Sequence, residues 1–75
     1  MKSIQLQSVG RVPAVEAINI EIGDYLMWNF GSKSKVIAFG KETKSFITVV
    51  ELYEDGKQYE RRLKKDRLVA LIKKQ

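Results

Sequence analysis

The stretch SFITVVELYEDGKQYERRL, residues 45–63, decides the fold class because it contains a strand, a turn and a second strand in direct succession. Four β-branched residues in a row, at positions 47–50, favour an extended strand. Asp-Gly at positions 55–56, between two strand-like runs, is typical of a β-hairpin turn. A two-residue turn and a three-residue turn with a glycine bulge pair the strands in registers one residue apart. A side chain of the second strand therefore lies on one face of the sheet in the first case and on the other face in the second. A hairpin is therefore predicted, while the sequence leaves open whether Arg61 or Arg62 faces outward.

The segment after this hairpin allows two interpretations. Residues 57–75 contain no Gly or Pro and consist mostly of good helix formers, which permits a C-terminal helix. However, their apolar positions make no continuous helical stripe, and LVALI at 68–72 is apolar on every side. We therefore expect a strand at 58–63, a tight charged turn or short helical turn at 64–67, and a buried closing strand at 68–72.

Turn signals divide the upstream chain into further short pieces, a pattern that favours a small sandwich or barrel. The piece AVEAINIEI, residues 14–22, alternates from Ala17 onward and predicts a strand with Ile18, Ile20 and Ile22 on one face.

The aromatic stretch YLMWNF, residues 25–30, follows a Gly-Asp turn at 23–24 and predicts another strand. Its alternation directs Leu26, Trp28 and Phe30 toward the core and leaves the intervening residues on the opposite face.

The composition limits the chain to one small domain, because 75 residues bury only a modest core. The chain has neither cysteine nor histidine, which excludes disulfides and thiolate metal sites and removes the commonest general base. We expect a single domain, 1–75, in which 1–13 is an N-terminal strand or arm, 14–72 the barrel and 73–75 a tail. We expect no cofactor and no metal ion.

The order of these pieces resembles that of small SH3-like β-barrels. A strand, a Gly-Asp turn at 23–24, an aromatic strand, a loop with Gly31 and a strand opened by Val36 follow one another as in such barrels. The tail QYERRLKKDRLVAL, residues 58–71, is similar to the end of such barrels, where a short turn feeds the closing strand. In contrast, GSKSKV at 31–36 lacks the second glycine of the nucleic-acid-binding motif found in ribosomal and transcription-factor SH3-like domains.

The chain as a whole is similar to the small barrel proteins carried by phages and mobile elements of Gram-positive bacteria. This resemblance implies an all-β fold, an SH3-like barrel of five to six short antiparallel strands.

Positive charge is concentrated near the C-terminus. Residues 57–75 hold eight basic and two acidic side chains, a net charge of +6, whereas residues 1–56 have a net charge of −1. This asymmetry suggests an acidic partner, although charged side chains also protect an exposed sheet edge. Basic residues mixed with aromatic ones neutralise phosphates and stack on bases. The candidate binding residues are Arg61, Arg62, Lys64, Lys65, Arg67, Lys33, Lys35 and Trp28.

These features predict a binding module rather than an enzyme, since no histidine can activate any of the serines and the carboxylates are typical of solvated strand and turn positions. The expected partner is nucleic acid, bound with little sequence specificity. The alternative is a protein-interaction module or inhibitor from a phage or mobile element, which binds an acidic protein surface. An exposed sheet edge would also allow a homo-oligomer.

No stretch of the sequence predicts a membrane segment. The longest purely apolar run, at 68–72, is far shorter than the roughly 20 residues that a span needs. The N-terminal residues lack the apolar stretch of a signal peptide. We therefore expect a soluble, cytoplasmic protein that makes no membrane contact.

Overall fold

The computed structural model describes residues 2–73, which form a single antiparallel sheet of seven strands. The strands are β1 (Lys2–Leu6), β2 (Gly10–Glu16), β3 (Tyr25–Met27), β4 (Lys33–Glu42), β5 (Phe46–Tyr53), β6 (Gln58–Lys64) and β7 (Leu68–Lys73). Two short 3₁₀ turns, Ala17–Asn19 and Asn29–Gly31, interrupt them. The strand order is β1-β2-β7-β3-β4-β5-β6, which leaves β1 and β6 as the edges of an open sheet. The prediction of an all-β fold is confirmed.

The sheet has more strands than the five to six expected, because the N-terminal segment forms a hairpin of its own. Strands β1 and β2 pair from Lys2 opposite Ala14 to Leu6 opposite Gly10. The turn between them places Ser8 at a φ of 64° and is closed by the N–H of Val9, which donates to the carbonyl of Leu6 at 3.3 Å. Gly10, with a φ of 107°, follows the turn as the first residue of β2. The sequence predicted only a strand or arm over residues 1–13.

The β5–β6 hairpin has the three-residue turn of the two considered. The N–H of Tyr53 donates to the carbonyl of Lys57 at 3.0 Å, and Gly56 adopts a φ of +84°. This turn pairs Val49 with Arg61. Arg61 therefore shares the inner face of the sheet with the buried Leu63, and Arg62 points to the outer face.

The C-terminal segment is strand, and the helical alternative is wrong. Strand β6 extends to Lys64, the N–H of Arg67 closes a tight turn on the carbonyl of Lys64 at 3.1 Å, and β7 follows. Val69 and Ala70 of β7 are 1% and 0% exposed, so the closing strand is buried at its centre, whereas Ile72 is 37% exposed. Lys73 of the expected tail belongs to β7, and residues 74–75 lie outside the described residues.

The strand predicted over residues 14–22 is wrong in its second half. Strand β2 ends at Glu16, and a 3₁₀ turn follows in which the N–H groups of Ala17 and Ile18 donate to the carbonyls of Arg67 (2.8 Å) and Lys65 (3.0 Å). These bonds to the β6–β7 turn bend the chain.

The bend changes which isoleucines are buried. Ala17 and Ile20, which are three residues apart, face the core together, whereas Ile18 and Ile22 are each 51% exposed. The predicted turn at 23–24 is present. Gly23 has a φ of 97°, and the buried carboxylate of Asp24 accepts a hydrogen bond from the N–H of Glu21 at 2.8 Å.

The alternation predicted over residues 25–30 also stops early. Leu26 is fully buried and Trp28 packs against the core, but Phe30 is 70% exposed. A 3₁₀ turn begins after Trp28, and it places Phe30 at a φ of 65° with its N–H donating to the carbonyl of Gln7 at 2.8 Å. The prediction that Phe30 faces the core is therefore wrong, because a tight turn ends the strand before Phe30, and side chains beyond that point no longer alternate between the two faces.

The core lies on the inner face of the sheet and draws on most of the strands. Its buried members are Ala17, Ile20, Leu26, Val36, Ile47, Val49, Leu63 and Val69. Burial of each large aliphatic side chain contributes roughly 1.5–3 kcal/mol relative to exposure. At the other end of the inner face, β4, β5 and β6 carry polar side chains in place of apolar ones. These polar side chains form the group described next.

Candidate nucleic-acid interface

A buried carboxylate organises the polar end of the inner face. Glu51 is 0% exposed and accepts hydrogen bonds from the Ser34 hydroxyl (3.0 Å), the Tyr53 hydroxyl (3.2 Å) and Nε of Arg61 (3.1 Å). A buried carboxylate is tolerated only where donors and an opposite charge compensate for its lost hydration. All three donors come from residues on the inner sides of β4, β5 and β6, as the strand register requires.

Arg61 is held by this carboxylate and by two aromatic residues. Its Nη2 donates to the Tyr53 hydroxyl at 3.1 Å, and its guanidinium carbon lies 3.9 Å from the centroid of the Trp28 ring. Burial opposes the charged form, but the hydrogen bonds to Tyr53 and Glu51 and the negative charge of Glu51 outweigh it and raise the pKa of Arg61 above its ordinary value. Arg61 is thus charged, and its guanidinium is bound by side chains of the same chain.

Trp28 belongs to the same inner cluster. Its Nε1–H donates to the Ser34 hydroxyl at 3.3 Å, and the Arg61 guanidinium lies over its ring. Arg67, on the β6–β7 turn, is exposed and places its guanidinium carbon 5.8 Å from the Trp28 centroid. The structure therefore brings three of the sequence-predicted residues together, namely Trp28, Arg61 and Arg67.

The outer face carries a different group at the end formed by the β4–β5 turn, which we call the Phe46 cluster (Lys41, Phe46, Arg62 and Lys64). The Arg62 guanidinium carbon lies 3.9 Å from the Phe46 centroid, and Lys64 is paired directly opposite Phe46. Lys41 and Arg62 line one shallow groove with Phe46 and the threonines at 43 and 48. Two cations and two hydroxyls around one groove can donate hydrogen bonds to a phosphate group.

Lys65 is close to this cluster in sequence but is neutralised. Its Nζ lies 2.7 Å from a carboxylate oxygen of Glu42, and its side chain is only 22% exposed. Of the five candidates in the tail, Arg62 and Lys64 therefore lie on the outer face, whereas Arg61 and Lys65 are in salt bridges within the chain.

A second group occupies the opposite end of the outer face, and we call it the Tyr25 cluster (Tyr25, Lys33, Lys35 and Lys73). Tyr25 of β3 pairs with Lys35 on one side and Lys73 on the other, and both ammonium nitrogens lie 5.8 Å from the Tyr25 centroid. Tyr25, Lys33 and Lys35 line a cleft of about 290 Å³ with Leu52 and residues 53–54. The loop lysines predicted from the sequence thus belong with Tyr25 rather than with Trp28.

The two clusters lie on one face but at separate ends. Leu52 of β5 pairs with Lys35 of the Tyr25 cluster, and Phe46 lies six residues earlier on the same strand. The two clusters are therefore about 20 Å apart at 3.4 Å per residue. Between them, Val50 stands opposite Glu60, the one acid in this part of β6.

Four residues of these clusters are not among the candidate binding residues predicted from the sequence, namely Lys41, Phe46, Lys73 and Tyr25. Tyr25 was assigned to the face opposite Trp28, where its exposure would indicate a contact surface. The position of Tyr25 beside Lys35 and Lys73 depends on the pairing of β3 with β4 and β7, which strand alternation alone does not fix. The pairing of Phe46 with β6 depends on the hairpin register, which the sequence left open.

Within residues 2–73, no three side chains of His, Cys, Asp or Glu come together as a potential metal site. None of the elements formed by these residues is a helix long and apolar enough to cross a membrane. Comparison of the chain with protein-family models, curated protein sequences and solved structures finds no match.

Proposed function

We propose that this protein is a non-enzymatic module that binds nucleic acid across the outer face of its sheet, with little sequence specificity. The observation that carries the proposal is the presence of two clusters of cations and aromatic rings on one sheet face, the Phe46 cluster and the Tyr25 cluster. Cations neutralise phosphates along a backbone, and aromatic faces between them stack on bases of any sequence.

The salt bridges among residues 2–73 leave the cations of the two clusters unpaired, which supports this function. Within residues 2–73, salt bridges involve Lys2, Arg61 and Lys65, and none involves a cation of the two clusters. Their charge is therefore directed to solvent and available to an anion. Arg62 is the cation best suited to a phosphate, since its planar guanidinium can bind two phosphate oxygens and already lies over the Phe46 ring, 3.9 Å from its centroid.

The arrangement favours contacts with the backbone over the reading of base edges. Residues 2–73 form no α-helix that could enter a major groove from the outer face. The cations occupy two patches about 20 Å apart at 3.4 Å per strand residue. A backbone that crosses the face from one patch to the other meets cations at both ends.

The proposal extends to the fold family. An antiparallel sheet with register shifts in β3 and β4, a 3₁₀ turn before β3 and a tight turn before the closing strand is consistent with an SH3-like barrel to which an N-terminal hairpin is added. Such folds have many functions, so the fold supports the binding role only weakly and the surface chemistry carries the argument.

Fluorescence anisotropy with a labelled single strand and a labelled duplex tests the function. We expect Arg62→Ala/Lys64→Ala to lose at least about tenfold in affinity for both, because two phosphate contacts are removed. The matched control is Arg11→Ala/Lys57→Ala, which removes one arginine and one lysine from exposed positions outside the clusters. Equal losses in the two variants would show that net charge, rather than the outer face, governs binding.

A protein partner is the second candidate function, and Phe30 is the observation that favours it. Its ring is 70% exposed on a turn fixed by the Gln7 carbonyl, at a left-handed φ that a phenylalanine rarely adopts. An acidic protein surface would be attracted to the same cationic face. Capture of one defined protein from nuclease-treated lysate by the native chain, with loss of capture in Phe30→Ser, would favour this candidate over nucleic acid.

A further inference from the structure

The outer edge of β6 is an open strand edge of the sheet. Among the residues that the structure describes, β5 is the only strand that pairs with β6. The free part of this edge ends at Lys65, whose carbonyl accepts the N–H of Ile18. Seven residues, Gln58–Lys64, therefore present one side of their backbone to solvent.

The register of the β5–β6 hairpin determines which backbone groups point outward. Tyr53 and Lys57 form a hydrogen-bonded pair, and hydrogen-bonded and non-bonded pairs alternate along an antiparallel ladder. The pairs that contain Tyr59, Arg61 and Leu63 consequently bond to β5. The N–H and C=O groups of the intervening residues point away from the sheet, and these residues are Gln58, Glu60, Arg62 and Lys64.

We propose that the occupant of this edge is a second copy of the chain, paired antiparallel through β6 about a two-fold axis at Arg61. In this register Glu60 of one copy lies opposite Arg62 of the other, and the two-fold axis generates the same pair twice. Gln58 lies opposite Lys64. The outward-pointing backbone groups then meet one another as hydrogen-bonded pairs, which is the condition for a continuous ladder.

Charge complementarity selects this register over its neighbours. A shift by two residues in one direction places Glu60 opposite Glu60 and leaves neither Glu60–Arg62 pair. A shift in the other direction places Arg62 opposite Arg62 and exchanges the Glu60–Arg62 pairs for Glu60–Lys64 pairs, and in that register the double variant below would not recover dimerisation. The self-paired Arg61 side chains are tolerated because each is already bound to the buried Glu51 of its own chain at 3.1 Å. The isologous contact is the one expected of a two-fold dimer.

The dimer would have a consequence for the surface, because it joins the outer faces of two sheets at β6. Two copies of Arg62 and Lys64 would then lie on either side of the new strand pair. The two proposals share Arg62, but the dimer concerns the chain alone and is tested without nucleic acid.

Sedimentation equilibrium over a wide range of protein concentrations tests the dimer, with charge-reversal variants. Arg62→Glu and Glu60→Arg each create two like-charge oppositions and are expected to weaken dimerisation by about tenfold or more. The double variant Glu60→Arg/Arg62→Glu restores opposite pairs and is expected to recover it. Lys44→Glu, on the exposed β4–β5 turn, is the control for the change of net charge. Circular dichroism shows whether each variant is folded.

Amide hydrogen exchange gives a second test that does not depend on variants. In a dimer, the amides of Glu60 and Arg62 become more protected as the protein concentration rises, while those of Tyr59 and Arg61 are protected by β5 at every concentration. A chain that stays monomeric at the highest soluble concentration, or a double variant that fails to recover dimerisation, would overturn the proposal. Dimers whose Glu60 and Arg62 amides stay unprotected would place the contact elsewhere and overturn it equally.

Discussion

Arg61 and Arg62 are neighbours in sequence, but their side chains lie on opposite faces of β6 and have different environments. Arg61 forms a salt bridge with the buried Glu51, whereas Arg62 lies against the Phe46 ring on the outer face with no salt bridge among the described residues. The three-residue turn at Gly56 is the cause, since a turn one residue shorter would exchange the two faces. One arginine therefore stabilises the fold and the other is available for binding.

Removal of Arg61 should destabilise the fold. Arg61→Ala leaves the carboxylate of Glu51 buried without its counter-charge. We expect the free energy of unfolding to fall by about 2 kcal/mol, below the range for fully buried pairs because the Arg61 side chain is 37% exposed. Urea denaturation followed by circular dichroism measures this change.

The control for this prediction is Arg62→Ala, which lies on the outer face and should change the free energy of unfolding by less than about 0.5 kcal/mol. Equal destabilisation by the two substitutions would contradict the assignment of a structural role to Arg61 alone.

The β5–β6 turn should depend on the backbone freedom of Gly56. Gly56→Ala is expected to lower the free energy of unfolding by about 1 kcal/mol, because an L side chain is strained at a φ of +84°. No atom lies within 4 Å of the added Cβ, so the cost is conformational rather than steric. Gly56→Asn should cost less, since asparagine tolerates the left-handed region. If asparagine and alanine were equally costly, strain at this φ would not be the cause.

Substitutions in the Phe46 cluster should separate the contribution of charge to binding from the contribution of stacking on the aromatic ring. Arg62→Ala is expected to make the slope of log affinity against log salt shallower by about 0.7 on a single strand, because one phosphate contact is lost. Phe46→Leu should reduce affinity for the single strand while leaving this slope unchanged, since it removes a ring and no charge. Anisotropy titrations at several salt concentrations measure both quantities. A changed slope in Phe46→Leu would mean that the ring acts by positioning Arg62.

Local signals were sufficient for the C-terminal half of the fold. The β-branched run before the turn and the Asp-Gly pair predicted β5 and the hairpin, and the absence of a helical stripe predicted β7. The register was not determined by the sequence because Asp-Gly suits turns of two lengths. In the structure, the N–H of Lys57 donates to the carboxylate of Asp55 at 2.9 Å and Gly56 supplies the left-handed residue of the longer turn.

The N-terminal half was predicted less well because distant contacts override its local pattern. Alternation at residues 17–22 favours a strand, but bonds from Ala17 and Ile18 to the β6–β7 turn impose a 3₁₀ turn. No local signal encodes those bonds. For the same reason, the sequence could not separate the basic residues that form salt bridges from those that face solvent.

The most direct test of the central claim, binding through the outer face, is the salt dependence of affinity for a labelled single strand. If the six cations of the two clusters each neutralise one phosphate, the log–log slope is about −4 for the native chain and about −3 for Arg62→Ala/Lys64→Ala. The Arg11→Ala/Lys57→Ala control keeps the native slope. A flat salt response in the native chain, or an equal reduction of slope in both double variants, would contradict the claim.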